Sequence, residues 1–278
     1  MIYSTEVTKY NHDKPEYLNR FQELIIVEND DGTVFDFMKK FHNHRFVIKI
    51  KNIQQFLDNN KIECYVQFCK ENPEIEVVFC FYRLSDYGPR LLKLMRENEM
   101  LYFYADYVRS WDTLNGFYKE GASDFYIVEE MCFNLPIVRK IVGDGHNIRV
   151  IPHIAQSSYT KTPAMQKFFI RPDDLDIYEP YVDVIEFLNI QNPNASVTLA
   201  RIYEDKGWAG NISEIISDFN DKIDNRNILD GFAERRLECG RRCMRGYSCT
   251  MCLQYGETAK TIQEKGLLND KYHEFHEA

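Results

Sequence analysis

A chain of 278 residues, 44% hydrophobic and 28% charged, has the make-up of an ordinary globular protein, with length for one large domain or two small ones. A formal net charge of -9 and a pI near 5.4 argue against broad attachment to nucleic-acid backbones or anionic membranes, which favour an excess of Lys and Arg. No apolar run reaches the roughly 18 to 20 residues of a bilayer span, and Met1 to Glu6 lacks the pattern of a secretory leader, so a cytoplasmic location is expected.

Residues 1–44 read as an N-terminal extension. Leu24 to Val27 and Val34 to Phe37 flank Asn29-Asp30-Asp31-Gly32, and Asp-Gly suits the positive φ of a tight turn, so a hairpin is expected there. From position 45 short β-branched and aromatic runs alternate with helical patterns, the mark of βα units and a largely parallel sheet. The candidate strands are Phe46 to Ile50, Val77 to Tyr82, Met100 to Tyr104, Phe125 to Glu129, Ile148 to Pro152, Phe168 to Arg171, Val182 to Phe187 and Val197 to Ile202. Eight is the number that a (β/α)8 TIM-barrel-like domain needs, and residues 45–230 are assigned to one, with distortion expected where Gln156 to Gln166 and Asn189 to Ser196 are too short for full helices. An open sheet with helices on both faces would leave the same pattern.

Between the strands, Pro136 and Gly143 bracket one helix, Ser110 and Gly121 another, and Pro89 opens a third. Asn211 caps a stretch whose Ile212, Ile215, Ile216 and Phe219 share a face. Residues 231–278 form a Cys-rich knuckle and a helical tail.

Cys64, Cys69, Cys80 and Cys132 are scattered through apolar segments and read as small core residues. Cys239, Cys243, Cys249 and Cys252 crowd together, with Gly240 and Gly246 easing the turns that convergence on one tetrahedral ion demands. A structural Zn2+ is the first reading of this four-Cys knuckle, a 4Fe–4S iron–sulfur cluster the alternative, and unmetallated thiols the plain one. Five arginines between positions 235 and 245 balance the thiolates or, alternatively, contact RNA.

In a parallel barrel the chemistry belongs at the carboxyl ends of the strands. Glu129 and His153 stand at two such ends, where a carboxylate and an imidazole on adjacent strands could act as a general base or hold a metal; the plain alternative is a solvated rim. Arg171 closes a third candidate strand and could clamp a carboxylate or phosphate, unless Arg171-Pro172-Asp173-Asp174 is simply a helix start. No phosphate-binding loop, dinucleotide fingerprint, HExxH or GxSxG is present.

Phe168-Phe169-Ile170-Arg171-Pro172-Asp173-Asp174-Leu175, followed by Val182-Asp183-Val184-Ile185-Glu186-Phe187 and a cysteine cluster, resembles the barrel proteins grouped as peptidase family U32. The resemblance covers about 80 residues, and it implies an iron–sulfur cluster and Arg171 and Glu186 as pocket residues. The cysteines here are bunched after position 238 rather than spread through the barrel, and the family's Gly-x-Cys signature is missing. In size and style the chain also resembles uncharacterised bacteriophage proteins. Together these features lead to a metal-stabilised barrel enzyme acting on a small-molecule or RNA-borne substrate through Arg171, Glu186, His153 and Glu129. A non-enzymatic module binding nucleic acid or protein through its Arg-rich knuckle is the alternative.

Overall fold

The computed structural model describes residues 1–8, 12–28, 33–81, 88–104, 107–108, 111–120, 122, 124–127, 135–155, 162–188, 193–239 and 249–267. Nine strand segments, β1 (Ile2–Glu6), β2 (Glu23–Val27), β3 (Arg45–Ile50), β4 (Val77–Phe81), β5 (Leu101–Tyr104), β6 (Tyr107–Val108), β7 (Asp124–Ile127), β8 (Asn147–Val150) and β9 (Val184–Phe187), join in the order β5-β4-β3-β2-β1-β9-β8-β7-β6. Every neighbouring pair is parallel. The edge segments β5 and β6 are consecutive pieces of one run of chain, and β5 lies against β7, so the sheet wraps into a nearly closed barrel of eight strand positions in sequence order. The fold is a TIM-type barrel.

Helices α1 (Pro15–Leu18), α2 (Val34–Lys40), α3 (Ile53–Asp58), α4 (Lys61–Glu71), α5 (Gly88–Glu97), α6 (Trp111–Glu120) and α7 (Leu135–Gly143) fill successive crossovers. The outward face of the sheet, with Phe46, Ile48, Phe79, Phe81, Phe125, Ile148, Ile185 and Phe187, packs on their apolar stripes. Ile62, Tyr65 and Phe68 are one such stripe, three residues apart along α4. The Asn52 side chain caps α3 by accepting from Gln55 N at 3.1 Å. Asn60 then turns the chain into α4 with φ 51, a left-handed conformation that Asn tolerates better than most residues.

The crossover from β8 to β9 breaks the pattern. Its described residues contain two 3-10 turns, Ala164–Gln166 and Pro172–Asp174, and the four-residue α8 (Leu175–Tyr178), but no helix long enough to cover the barrel wall. The end of the chain fills this place. After α9 (Pro193–Glu204), helices α10 (Ile212–Ile215), α11 (Phe232–Cys239) and α12 (Met251–Glu264) share a second core with Ala155, Met165 and Phe169 of that crossover. A parallel bridge between Ile154 and Ser217 stitches the two, with Ser217 N donating to His153 O at 2.7 Å and Ala155 N to Ser217 O at 2.8 Å.

Three expectations are corrected. Residues 1–44 are no extension with a hairpin, because Leu24 to Val27 belongs to parallel β2, Val34 to Phe37 is helical in α2, and β1 and β2 are barrel strands; the turn at 29–32 lies outside the described residues. Val197 to Ile202 lies in helix α9, where Ser196, Ala200 and Tyr203 turn one face inward and Leu199 packs beside them; burial at helical spacing overrides the β-branched composition. Phe168 to Arg171 joins no strand of the sheet: the carbonyls of Phe169 and Ile170 accept from Arg236 (3.2 Å) and Tyr203 OH (2.7 Å), and that of Arg171 from Asp174 N (3.1 Å). The second core also runs across the expected boundary at position 231. No helix among the described residues is long and apolar enough to cross a membrane.

Candidate functional site

Neighbouring residues in register on a parallel sheet share a face, so Ser4, Glu23, Arg45 and Glu186 point together into the barrel. The same holds for Lys49, Cys80 and Phe103, and for Tyr126 with Arg149. An interior that only needs filling takes Val, Ile and Leu. This one takes Ile25, Val47 and Val78, and adds charges.

Arg149 is their hub. Its Nε donates to Glu186 Oε1 at 2.7 Å, its Nη1 to Asp124 Oδ2 at 2.8 Å and Glu23 Oε2 at 3.3 Å, and its Nη2 to Glu23 Oε1. All four side chains are fully buried. The guanidinium also sits over the Phe103 ring, 4.6 Å from its centroid. Tyr126 OH donates to both oxygens of Glu186, at 2.6 and 2.7 Å. Arg45 pairs with Glu23 at 3.4 Å, and Asn147 Nδ2 donates to Asp124 Oδ1 at 2.9 Å. Lys49 is also buried in the lumen, at 2% exposure, and half-buried Arg45 is shared between Glu23 and Glu76, the latter at 2.9 Å. Buried ions persist only when paired and hydrogen-bonded in this way.

The cluster has a direction. Glu23, Arg45 and Asp124 are the first residues of their strands, whereas Lys49, Cys80 and Glu186 are each next to last. A polar column therefore rises from the amino end of the barrel towards the carboxyl end. Along it burial pushes the Tyr126 hydroxyl far above the usual phenol range, and the charge of Glu186 adds to that, so Tyr126 stays a proton donor. Burial pushes the Cys80 thiol up to about 12, although Lys49 beside it pulls the other way, so the sulfur is inert as a nucleophile. Burial opposes the charge on Arg149, but Glu23 and Glu186 more than restore it. The Ser4 hydroxyl is fully buried in the lumen with no hydrogen-bond partner among the described residues.

Of the residues singled out in the sequence, Glu186 stands in this column. Arg171 does not: its Nε donates to Asp174 Oδ2 (2.7 Å), its Nη2 to Asp174 Oδ1 (2.5 Å), and its Nη1 to Asn225 O (3.2 Å), so the fork is spent on tying the β8–β9 crossover to the C-terminal helices. The reading of Arg171 to Asp174 as a helix start is the one the geometry follows, through the 3-10 turn Pro172–Asp174. His153 is buried behind the wall, its ring 5.6 Å from that of Phe187 and its Nε2 3.1 Å from Leu188 O; Nδ1 has no partner among the described residues, and burial lowers its pKa to about 4. Glu129 lies outside the described residues.

Cys239 ends α11 with its Sγ donating to Arg236 O at 3.3 Å, Cys249 is half-buried, Cys252 is buried in the second core, and Cys243 lies outside the described residues. No group of three or more His, Cys, Asp or Glu placed to hold a metal ion occurs among the described residues. Arg236, counted among the cations of the knuckle, is buried between Phe169 and Phe232. Cys80 is a core residue as expected, whereas Cys64 is exposed on α4. Sequence reasoning passed over Arg149, Glu23, Asp124, Tyr126 and Lys49. Their signal was a charge set inside a β-branched run, as in Val47-Ile48-Lys49-Ile50 and Ile148-Arg149-Val150, which in a strand buried on both faces has only the lumen to point into.

No family model and no curated protein matches the chain. Among solved structures, tryptophan synthase from M. tuberculosis, in its open form with BRD0059 bound, matches 74% of this chain and 89% of its own, at 9% identity and a TM-score of 0.46.

Proposed function

We propose that the chain is a barrel enzyme that acts on a small or RNA-borne substrate at the carboxyl ends of its strands, with a structural zinc on Cys239, Cys243, Cys249 and Cys252 and no part for Arg171. The observation that supports this reading is the polar column in the lumen, which ends towards the mouth in Lys49 and the Tyr126–Glu186 pair. Charges cost desolvation wherever they are buried, and a core that served only to fill the barrel would be as stable without them. A cation, a protonated phenol and a carboxylate together can bind an anionic or carbonyl group, donate a proton and accept one.

A thermal-shift screen of small carboxylates, phosphates, carbonyl compounds and short RNA oligonucleotides tests the reading. A true ligand at about a hundred times its Kd adds about 2.7 kcal/mol to stability. The expected result is such a gain for the wild type, lost in Lys49→Met. Failure of every class to stabilise the protein would remove the enzyme reading. Metal analysis of anaerobically purified protein tests the zinc: about one equivalent without visible absorbance is expected, and broad absorbance with iron and sulfide would replace it by an iron–sulfur cluster.

A further inference from the structure

We infer that the lumen holds a binding site for one water molecule at Ser4, where the water accepts a hydrogen bond from the serine hydroxyl and donates one each to Glu23 and Glu186. The site stands apart from the enzyme reading above and does not depend on it.

Ser4 is the third of the five residues of β1, and it is fully buried. In register with it are Glu23 of β2 on one side and Glu186 of β9 on the other, so the three side chains leave the sheet in one row, on strands about 4.8 Å apart. Ser4 Oγ is aimed at the two carboxylates and yet has no hydrogen-bond partner among the described residues. A buried hydroxyl left in that condition forfeits its hydration for nothing, which is why such groups are paired with protein or with an internal water. The serine side chain is short, whereas both glutamates reach on to Arg149, and a bridging molecule spans the difference.

The same ring decides what kind of molecule fits. Arg149 binds Glu186 through Nε and Glu23 through Nη1 and Nη2, so a single guanidinium draws both carboxylates to one place and supplies the cation they share. Arg45 brings a second cation to Glu23. A neutral ligand therefore suits the site better than a further positive ion. A carboxylate offers about four lone-pair directions. Glu23 spends them on Arg149 and Arg45, Glu186 on Arg149 and Tyr126, and each keeps capacity for another donor. Water has two protons for the two carboxylates and a lone pair for the Ser4 hydroxyl. That makes about three hydrogen bonds, the usual number for a buried water. It also brings β1 into the ring, because β1 lies between β2 and β9 and Arg149 reaches only carboxylates on β2, β7 and β9.

The sign of one substitution tests this in the full chain. Ser4→Ala removes the hydroxyl and little else. If the hydroxyl is bridged by water, the variant loses a buried hydrogen bond and Tm should fall by about 2 to 4 °C. If the hydroxyl is dry, removing an unpaired polar group leaves Tm unchanged or raises it, and the inference is overturned. A crystal structure of the wild type reads the site directly. The expected result is a single density peak about 2.8 Å from Ser4 Oγ and from one oxygen of each glutamate. No peak, a direct bond from Ser4 to a carboxylate, or a metal ion with its ligands at about 2.0 to 2.6 Å would overturn it whatever the Tm of the variant.

Discussion

Two places in the molecule bury arginines, and they do so in different ways. In the lumen Arg149 is satisfied entirely by side-chain carboxylates from β2, β7 and β9, up to 126 residues away in sequence. At the seam between the β8–β9 crossover and the C-terminal helices, Arg171 uses Asp174, three residues on, with the carbonyl of Asn225, and Arg236 donates to the carbonyls of Lys167 and Phe169. The first arrangement ties distant strands into one ring. The second makes irregular backbone tolerable inside a protein, where each unpaired carbonyl would otherwise be a cost.

The contrast fixes the scale of what mutation should do. Arg149→Met strands three buried carboxylates and should cost about 3 to 5 kcal/mol in urea unfolding, with all strands melting together; a loss no larger than that of a surface residue would show that the ring does not depend on its hub. His153, next to the seam, is neutral when folded. Its pKa falls from 6.5 to about 4, so above pH 6.5 neither state takes a proton, and between 6.5 and 4 the unfolded chain does while the folded one resists. Stability should therefore fall by about 3 kcal/mol as pH drops through that window, and His153→Phe should flatten this part of the profile. Arg236→Ala frees the carbonyls of Lys167 and Phe169 and removes contacts with two rings, for about 2 kcal/mol. Hydrogen exchange should then quicken in 164–170 and 212–232 while β1 to β4 stay protected; uniform loss would mean that seam and ring are one cooperative unit.

The barrel was legible in the sequence, but partly for the wrong reasons. Six of the eight candidate strands overlap the observed ones, and the other two, Phe168 to Arg171 and Val197 to Ile202, made up the number while β1 and β2 were read as part of an extension. β1 hid because polar Ser4 and Glu6 stand among its inward residues, whereas Leu24 to Val27 of β2 showed as an extended run and was assigned to a hairpin instead of the barrel. α9 misled because Val197-Thr198-Leu199 looks extended until Ala200 and Tyr203 find the wall. The site was less legible still. Glu186 was reached through the resemblance to the U32 barrel proteins, but Arg149 could not be, since what makes it a hub is the meeting of four strands that no local pattern records.

The missing wall helix has a consequence for synthesis. A growing chain released as far as residue 205 already holds all nine described strands, yet Met165, Phe169 and the buried carbonyls beside them still await Arg236 and α12, which emerge later. Clipping the tail of this protein would therefore not trim an appendage; it would leave a hole in the flank of the barrel.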